Sequence, residues 1–336
     1  MALPSLSKVW HITANNTLVP QGSATAMARL YMLRLKQILT GSSSLTWSGG
    51  PPPAPFTVVG SSNGVTAGMD GVDRWNSTSD IVGGLFDPRS WIVLRSTSIA
   101  ANFQVLLHCN SSNIIFGSPI VEVSENAGFT GGSTTAPPTA TDSQVLMSSA
   151  YITSTSDQQR QLHGWISSDG QCVRIVEMQQ GWTQAFWLFD KPNNPVAGWP
   201  RPWIARVFNA SGSSSASSNA SMAYSQFYSV GFVARGNGPF TAFGTGEGSN
   251  NLWAANSTLS SVANSFSGEF PLWPMGLAST TPNNIGRHGT VADLWWKPMG
   301  MANGDSFPAN VATKQFVCVG DIVLPWTGDS TSFLSS

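Results

Sequence analysis

The chain has 336 residues and a formal net charge of −1, with only 10% charged residues against 41% apolar and 10% aromatic ones. Charged residues usually make up about a quarter of a soluble domain, and Gln37–Met69, Val207–Ala234 and Gly248–Gly268 carry none. The aromatic content excludes a disordered chain, and near-neutrality excludes a nucleic-acid binder, which needs concentrated Lys and Arg.

The opening residues Met1–Ser5 lack the basic end and apolar core of a secretory signal, and no apolar run is long enough for a membrane-spanning helix. Ser23 to about Thr40 reads as the one helix. Ser23 or Thr25 caps it, good helix formers follow, and Gly41 suits the left-handed position beyond its last turn. Its charges are Arg29, Arg34 and Lys36, with no acidic residue among them. Two readings stand: a core-packed helix with a solvated basic edge, or a helix docked on an acidic face of a neighbouring subunit. Residues 49–55, Gly-Gly-Pro-Pro-Pro-Ala-Pro, form a stiff linker of polyproline character. It divides an N-terminal arm and helix (1–48) from a β-rich body (56–336).

The body reads as strands and turns. Trp91–Arg95 and Asn102–Cys109 are neighbouring strands, and Phe103, Val105, Leu107 and Cys109 share one face by the period of two. Trp165–Ser168 and Gln171–Val176 flank Asp169-Gly170, a hairpin turn that uses positive φ. Further strands are expected at Phe56–Val59, Ile114–Val123, Ala185–Phe189, Ile204–Phe208, Phe227–Ala234 and Phe316–Leu324. Gly128–Thr141 and Ala210–Ala220 are loops. The expected fold is mainly β: an antiparallel β-sandwich or barrel-like body with one N-terminal α-helix. The sequence also allows two packed β subdomains that meet near residues 210–225.

Motifs for chemistry are sparse. Cys109, Cys172 and Cys318 each sit in an apolar run and read as buried thiols. His11, His108, His163 and His288 are not at metal-ligand spacing. Gly60-Ser61-Ser62-Asn63-Gly64 matches the Gly-x-Ser-x-Gly pattern. A nucleophile elbow also needs a helix directly afterwards, and Val65-Thr66-Ala67-Gly68 is not one. Asp70 and Asp73 read as turn caps, with Ca²⁺ ligation as the alternative. No residue is assigned to catalysis, to a metal or to a cofactor. The tryptophans remain: Trp199, Arg201 and Trp203 in Trp-Pro-Arg-Pro-Trp, and Trp295 with Trp296 before Lys297. Indoles beside cations suit subunit interfaces or sugar platforms, although core packing accounts for indoles equally well. With Arg29, Arg34 and Lys36 they are the candidate contact residues.

Several phrases occur together: GSSNGVTAGMDGVDRW (Gly60–Trp75), SWIVLRSTSIAANFQVLLHCN (Ser90–Asn110), AGFTGGSTTAPPTATD (Ala127–Asp142), DLWWKPMGMANGDSFP (Asp293–Pro308) and GDIVLPW (Gly320–Trp326). In order and style, over about residues 56–326, the chain resembles virion structural proteins of tailed bacteriophages. The resemblance implies a non-enzymatic tail component near the baseplate or tail tip. Its partners would be copies of itself and other virion proteins, and it assigns no residue a role. The expected function is assembly through flat polar and aromatic surfaces, with the helix docked away from the β body. The alternatives are a virion-borne carbohydrate or receptor-binding module, a head-decorating protein, and a hydrolase of cell-wall or capsule polymers.

Overall fold

The computed structural model describes residues 9–13, 17–18, 22–82, 87–99, 103–109, 119–124, 128–141, 144–148, 160–179, 182–189, 203–207, 232–234, 238–242, 273–279, 286–296, 306–308, 315–319 and 322–326. Among them the strands build three antiparallel sheets, with one long helix beside them, so the chain is mainly β. The first sheet runs β3 (Trp47–Ser48), β1 (Trp10–Thr13), β10 (Arg160–Ser167), β11 (Val173–Gln179), β12 (Trp182–Phe189) and β13 (Trp203–Val207), with β2 (Thr17–Leu18) also on β10. In the second the order is β5 (Ala67–Gly68), β4 (Thr57–Asn63), β6 (Ser90–Ser96), β7 (Phe103–Cys109), β8 (Pro119–Ser124) and β9 (Gln144–Ser148). The third holds β14 (Phe232–Ala234), β15 (Gly238–Ala242), β16 (Trp273–Ser279), β17 (Gly286–Trp296), β20 (Ile322–Trp326), β19 (Gln315–Val319) and β18 (Ser306–Pro308). The expected strand over Phe316–Leu324 is therefore two strands, β19 and β20, paired antiparallel.

Helix α1 spans Ala24–Leu39 and its ends follow from local chemistry. Ser23 is extended, and its Oγ accepts the Ala26 N–H at 3.1 Å. At the other end Ser42 N–H reaches Gln37 O (2.9 Å) and Gly41 N–H reaches Ile38 O (3.1 Å), with Gly41 at φ 60°. This is a Schellman ending, which satisfies the last carbonyls and needs a left-handed residue that glycine supplies without a steric cost.

The helix is in the core, not docked away from the β body. Met27, Ala28, Tyr31, Met32, Leu35, Ile38 and Leu39 share one apolar cluster with Leu162, Ile166, Val173 and Ile175 of the first sheet. Ile92, Leu94, Phe103, Val105 and Leu107 of the second sheet belong to the same cluster. Burial is the reason: at roughly 1.5–3 kcal/mol per large buried side chain, a helix apolar on most of its faces has too much to lose by leaving. Phe56, Phe103 and Phe189 tie the two sheets, with ring centroids 5.7–6.0 Å apart. The proline passage does not hold helix and body apart either. Pro52 and Pro55 are buried, and Pro53 lies against both Gly41 and the Gly170 turn.

The outer faces are covered as well. On the second sheet Trp91, Val93 and Leu106 pack under Phe129. The 128–141 loop that carries Phe129 crosses as a strap, held by Trp91 Nε1–H to Ser133 O (2.8 Å) and Phe129 N–H to Gln104 Oε1 (2.8 Å). On the first sheet Trp165 Nε1–H donates to Pro325 O at 2.6 Å, which joins it to the third sheet. The Arg174 guanidinium lies 4.3 Å from the Trp10 ring centroid on that buried face. Strand β10 turns into β11 with the register centred on Asp169-Gly170, as Ile166 faces Val173. The last ladder bond, Ser167 N–H to Cys172 O (3.0 Å), lies one pair short of the expected two-residue turn, and Gly170 is at φ 66°.

Candidate functional site: an apolar loop held at a sheet edge

A dense group of polar side-chain bonds lies where β4 and β5 end the second sheet. Asn63 makes the hairpin turn: its Oδ1 accepts the Val65 and Thr66 N–H groups at 3.0 and 2.8 Å, and Gly64 follows at φ 83°. Val65 stands at the tip, 72% exposed. Beyond β5 the chain crosses Gly60, where a Cβ would meet Gly68 O and Met69 Sδ at 2.6 Å, so only glycine permits the approach. Gly71 N–H then bonds Val59 O at 2.9 Å.

From there the chain wraps round the sheet edge to the core side. Ser61 Oγ donates to Val72 O (2.6 Å) and accepts the Arg74 N–H (3.0 Å). Arg74 grips Asp70 with two bonds, Nη1–Oδ1 at 2.9 Å and Nη2–Oδ2 at 2.6 Å. That guanidinium first, and the Val72 N–H second, hold the Asp70 carboxyl down at about 2. Asp73 Oδ1 accepts the Trp75 N–H at 2.9 Å while its Oδ2 pairs with Lys36 of the helix. Lys36 Nζ also donates to Trp75 O at 2.8 Å. Trp75 is fully buried, and its indole N–H reaches Ser62 O at 2.8 Å. Both aspartates thus cap turns and hold cations.

The result is a loop with little freedom left that presents apolar side chains to solvent. The large hydrophobic residues exposed among the described ones are Val65, Met69 (36%), Val72 (48%) and Val9. Three of the four lie within this single hairpin and wrap. A contact surface fixed before binding loses less entropy on association, so the geometry suits docking.

The serine of the Gly-x-Ser-x-Gly match lies inside β4, buried, with its Oγ donating to Arg89 O at 2.6 Å and accepting the Gly64 N–H at 3.0 Å. Its hydroxyl serves the backbone. Among the described residues no three His, Cys, Asp or Glu gather closely enough to hold a metal. His163 is fully buried beside Thr13 O and Gln161 Oε1, each at 3.3 Å, and burial pushes its imidazole down to about 4.

The candidate contact residues fare differently. Lys36 faces inward, in its ion pair with Asp73. Arg29 is half-exposed, near enough to Asp87 to act on its carboxyl. Arg34 is half-buried, with Nη1–H donating to Gln37 Oε1 at 2.8 Å. Trp203 opens β13, and Trp295 and Trp296 close β17 opposite Val323 and Ile322. Trp199 and Arg201 lie outside the described residues, as does the Ala210–Ala220 loop. Sequence reasoning passed over Val65, Met69 and Val72. The available signal was three apolar residues within a turn-rich stretch whose glycines and aspartates leave them no strand face to occupy. Compared with known proteins, the chain matches no family model, no curated protein sequence and no solved structure.

Proposed function

We propose that the chain is a structural component of a tailed-phage virion, in the tail or baseplate, that works by contact with copies of itself and with other virion proteins. One observation carries the assembly part of this reading: Val65, Met69 and Val72 stand exposed on a loop pinned by ion pairs and side-chain-to-backbone bonds. Exposed apolar groups gathered on one segment, unlike singly scattered ones, mark contact surfaces where they form a patch. A charge-poor chain with almost no net charge also lacks the mutual repulsion that keeps proteins apart. The virion part rests on the resemblance of the Gly60–Trp75, Ser90–Asn110 and Gly320–Trp326 phrases.

The test pairs particle analysis with surface variants. Purified particles from the source should contain the chain, and Val65→Asp with Val72→Asp should leave folding intact while lowering incorporation by about tenfold or more, since charged groups are excluded from interface cores. A chain absent from every particle, or a variant incorporated as well as wild type, sinks the proposal. Binding of purified chain to host-surface glycan instead would move the assignment to a receptor-binding module.

A further inference from the structure

Sulfur is divided between the core and the loop at the end of the second sheet. Met27 and Met32 lie inside, 5% and 0% exposed, and the Cys172 and Cys318 thiols are fully buried. Met69 is 36% exposed, and among the described side chains it alone brings sulfur to the surface. A thioether reacts where an oxidant reaches it, so this exposure singles out Met69.

Its setting is fixed as well. Met69 follows β5 at the crossing over Gly60, and its Sδ lies so close that a Cβ on that glycine would come within 2.6 Å of it. The segment is fastened beyond it by Gly71 N–H to Val59 O and by the two bonds of Arg74 to Asp70. Carboxylate, guanidinium and peptide groups are inert to peroxide, so oxidation of the sulfur leaves the fastenings intact. What changes is the exposed apolar surface that Met69 shares with Val65 and Val72.

We propose that Met69 is an oxidation site through which a peroxide turns off the apolar docking loop. The sulfur lone pair takes one oxygen of hydrogen peroxide, the O–O bond breaks, and the other oxygen leaves as water. Sulfur is oxidised by two electrons and the peroxide is reduced. The product exchanges a soft apolar group for a polar S=O acceptor. Water satisfies that oxygen in the free chain. In a docked loop it needs a donor, which the side chains of Val65 and Val72 do not supply, so docking weakens. A sulfoxide reductase supplied with a dithiol reverses the change: the oxygen leaves as water and the dithiol becomes a disulfide. The consequence for docking rests on the assembly reading, whereas the place of oxidation rests on the exposure of Met69 alone.

The experiment treats the folded full chain, and purified particles from the source, with limiting hydrogen peroxide and follows each methionine by peptide mass spectrometry. In the free chain Met69 should gain oxygen about tenfold or more faster than Met27 and Met32, which react only when the core opens, and the melting temperature should not change. In particles Met69 should be protected. Met69→Gln, polar and resistant to peroxide, should be incorporated about tenfold less than wild type, and Met69→Leu as well as wild type. Oxidation of Met69 no faster than of Met27 and Met32 overturns the inference. So does full incorporation of Met69→Gln; if the Val65→Asp, Val72→Asp pair is excluded in the same experiment, the assembly reading stands without it. If the chain is absent from every particle, or Met69 reacts as fast in particles as in the free chain and the valine pair is incorporated normally, the docking loop and its switch fall together.

Discussion

The placement of helix α1 between two sheets predicts the outcome of a substitution at a glycine far from it in sequence. Gly164 lies in the middle of β10, and Ile38 of the helix packs directly onto it. A Cβ built there would run into Ile38 Cγ2, with Ile38 Cβ and Cγ1 at 3.4 Å. Overpacking of this kind costs about 1–3 kcal/mol, offset by the ~0.5–1 kcal/mol that Ala gains over Gly in a strand. Gly164→Ala should therefore destabilise by about 1–2 kcal/mol. Ile38 is fully buried, so Ile38→Ala alone should cost about 2–5 kcal/mol. In the double variant the new methyl enters space that the isoleucine has left. The pair should be about 1–2 kcal/mol more stable than the sum of the single effects. Urea unfolding followed by tryptophan fluorescence measures all four corners of the cycle. Additivity within about 0.5 kcal/mol, or a Gly164→Ala variant more stable than wild type, would mean that the helix is not seated on β10.

The buried imidazole of His163 sets an acid-side weakness. Its folded value is about 4 against an ordinary 6.5, so between those values the unfolded chain takes up a proton that the folded chain refuses. Stability is full above pH 6.5, falls as pH drops towards 4 by up to about 3 kcal/mol, and is level below; His163→Gln should flatten that stretch of a urea-midpoint series, and an unchanged slope would assign it to other groups. Lys36→Met should cost about 1–3 kcal/mol, because the buried Trp75 carbonyl loses a donor that methionine cannot replace; a neutral result in thermal unfolding would show that the bonds to Asp73 and Ser62 hold Trp75 without it.

The sequence was most legible where the determinants are local. The capped start of α1 at Ser23, its glycine ending at Gly41 and the alternation of Phe103, Val105 and Leu107 all depend on near neighbours, and each is found as read. Strands β1 and β3 escaped notice because Trp10–Thr13 and Trp47–Ser48 are too short for a periodic signal, and their pairing is non-local: β1 lies against the long β10, and β3 against β1. The proline passage misled for a related reason. Composition reveals that a segment is stiff, but it does not reveal that Pro53 rests on Gly41 at one end and on Gly170 at another. Helix burial was one of the two readings open in the sequence, and the core-packed one is found; what was hidden is that its basic edge is not all solvated. Lys36 in fact satisfies an internal aspartate.

Charge poverty takes on a more definite meaning in this fold. Lys36–Asp73, Arg74–Asp70 and Arg89–Asp87 fasten the helix and the β4–β6 connection, and Arg174 is stacked on Trp10 inside. Charges spent this way do little to keep copies apart, and the outer surface of the strap is left to Thr130, Gly131, Gly132, Ser133 and Thr139. Salt therefore separates apolar from charged contacts between copies. Burial of Val65, Met69 and Val72 is strengthened by sulfate, which is excluded from protein surfaces, whereas contacts between charged groups are weakened as ionic strength rises. Association that rises with sulfate and is indifferent to sodium chloride assigns assembly to the apolar loop, and association that falls with sodium chloride assigns it to charged groups elsewhere.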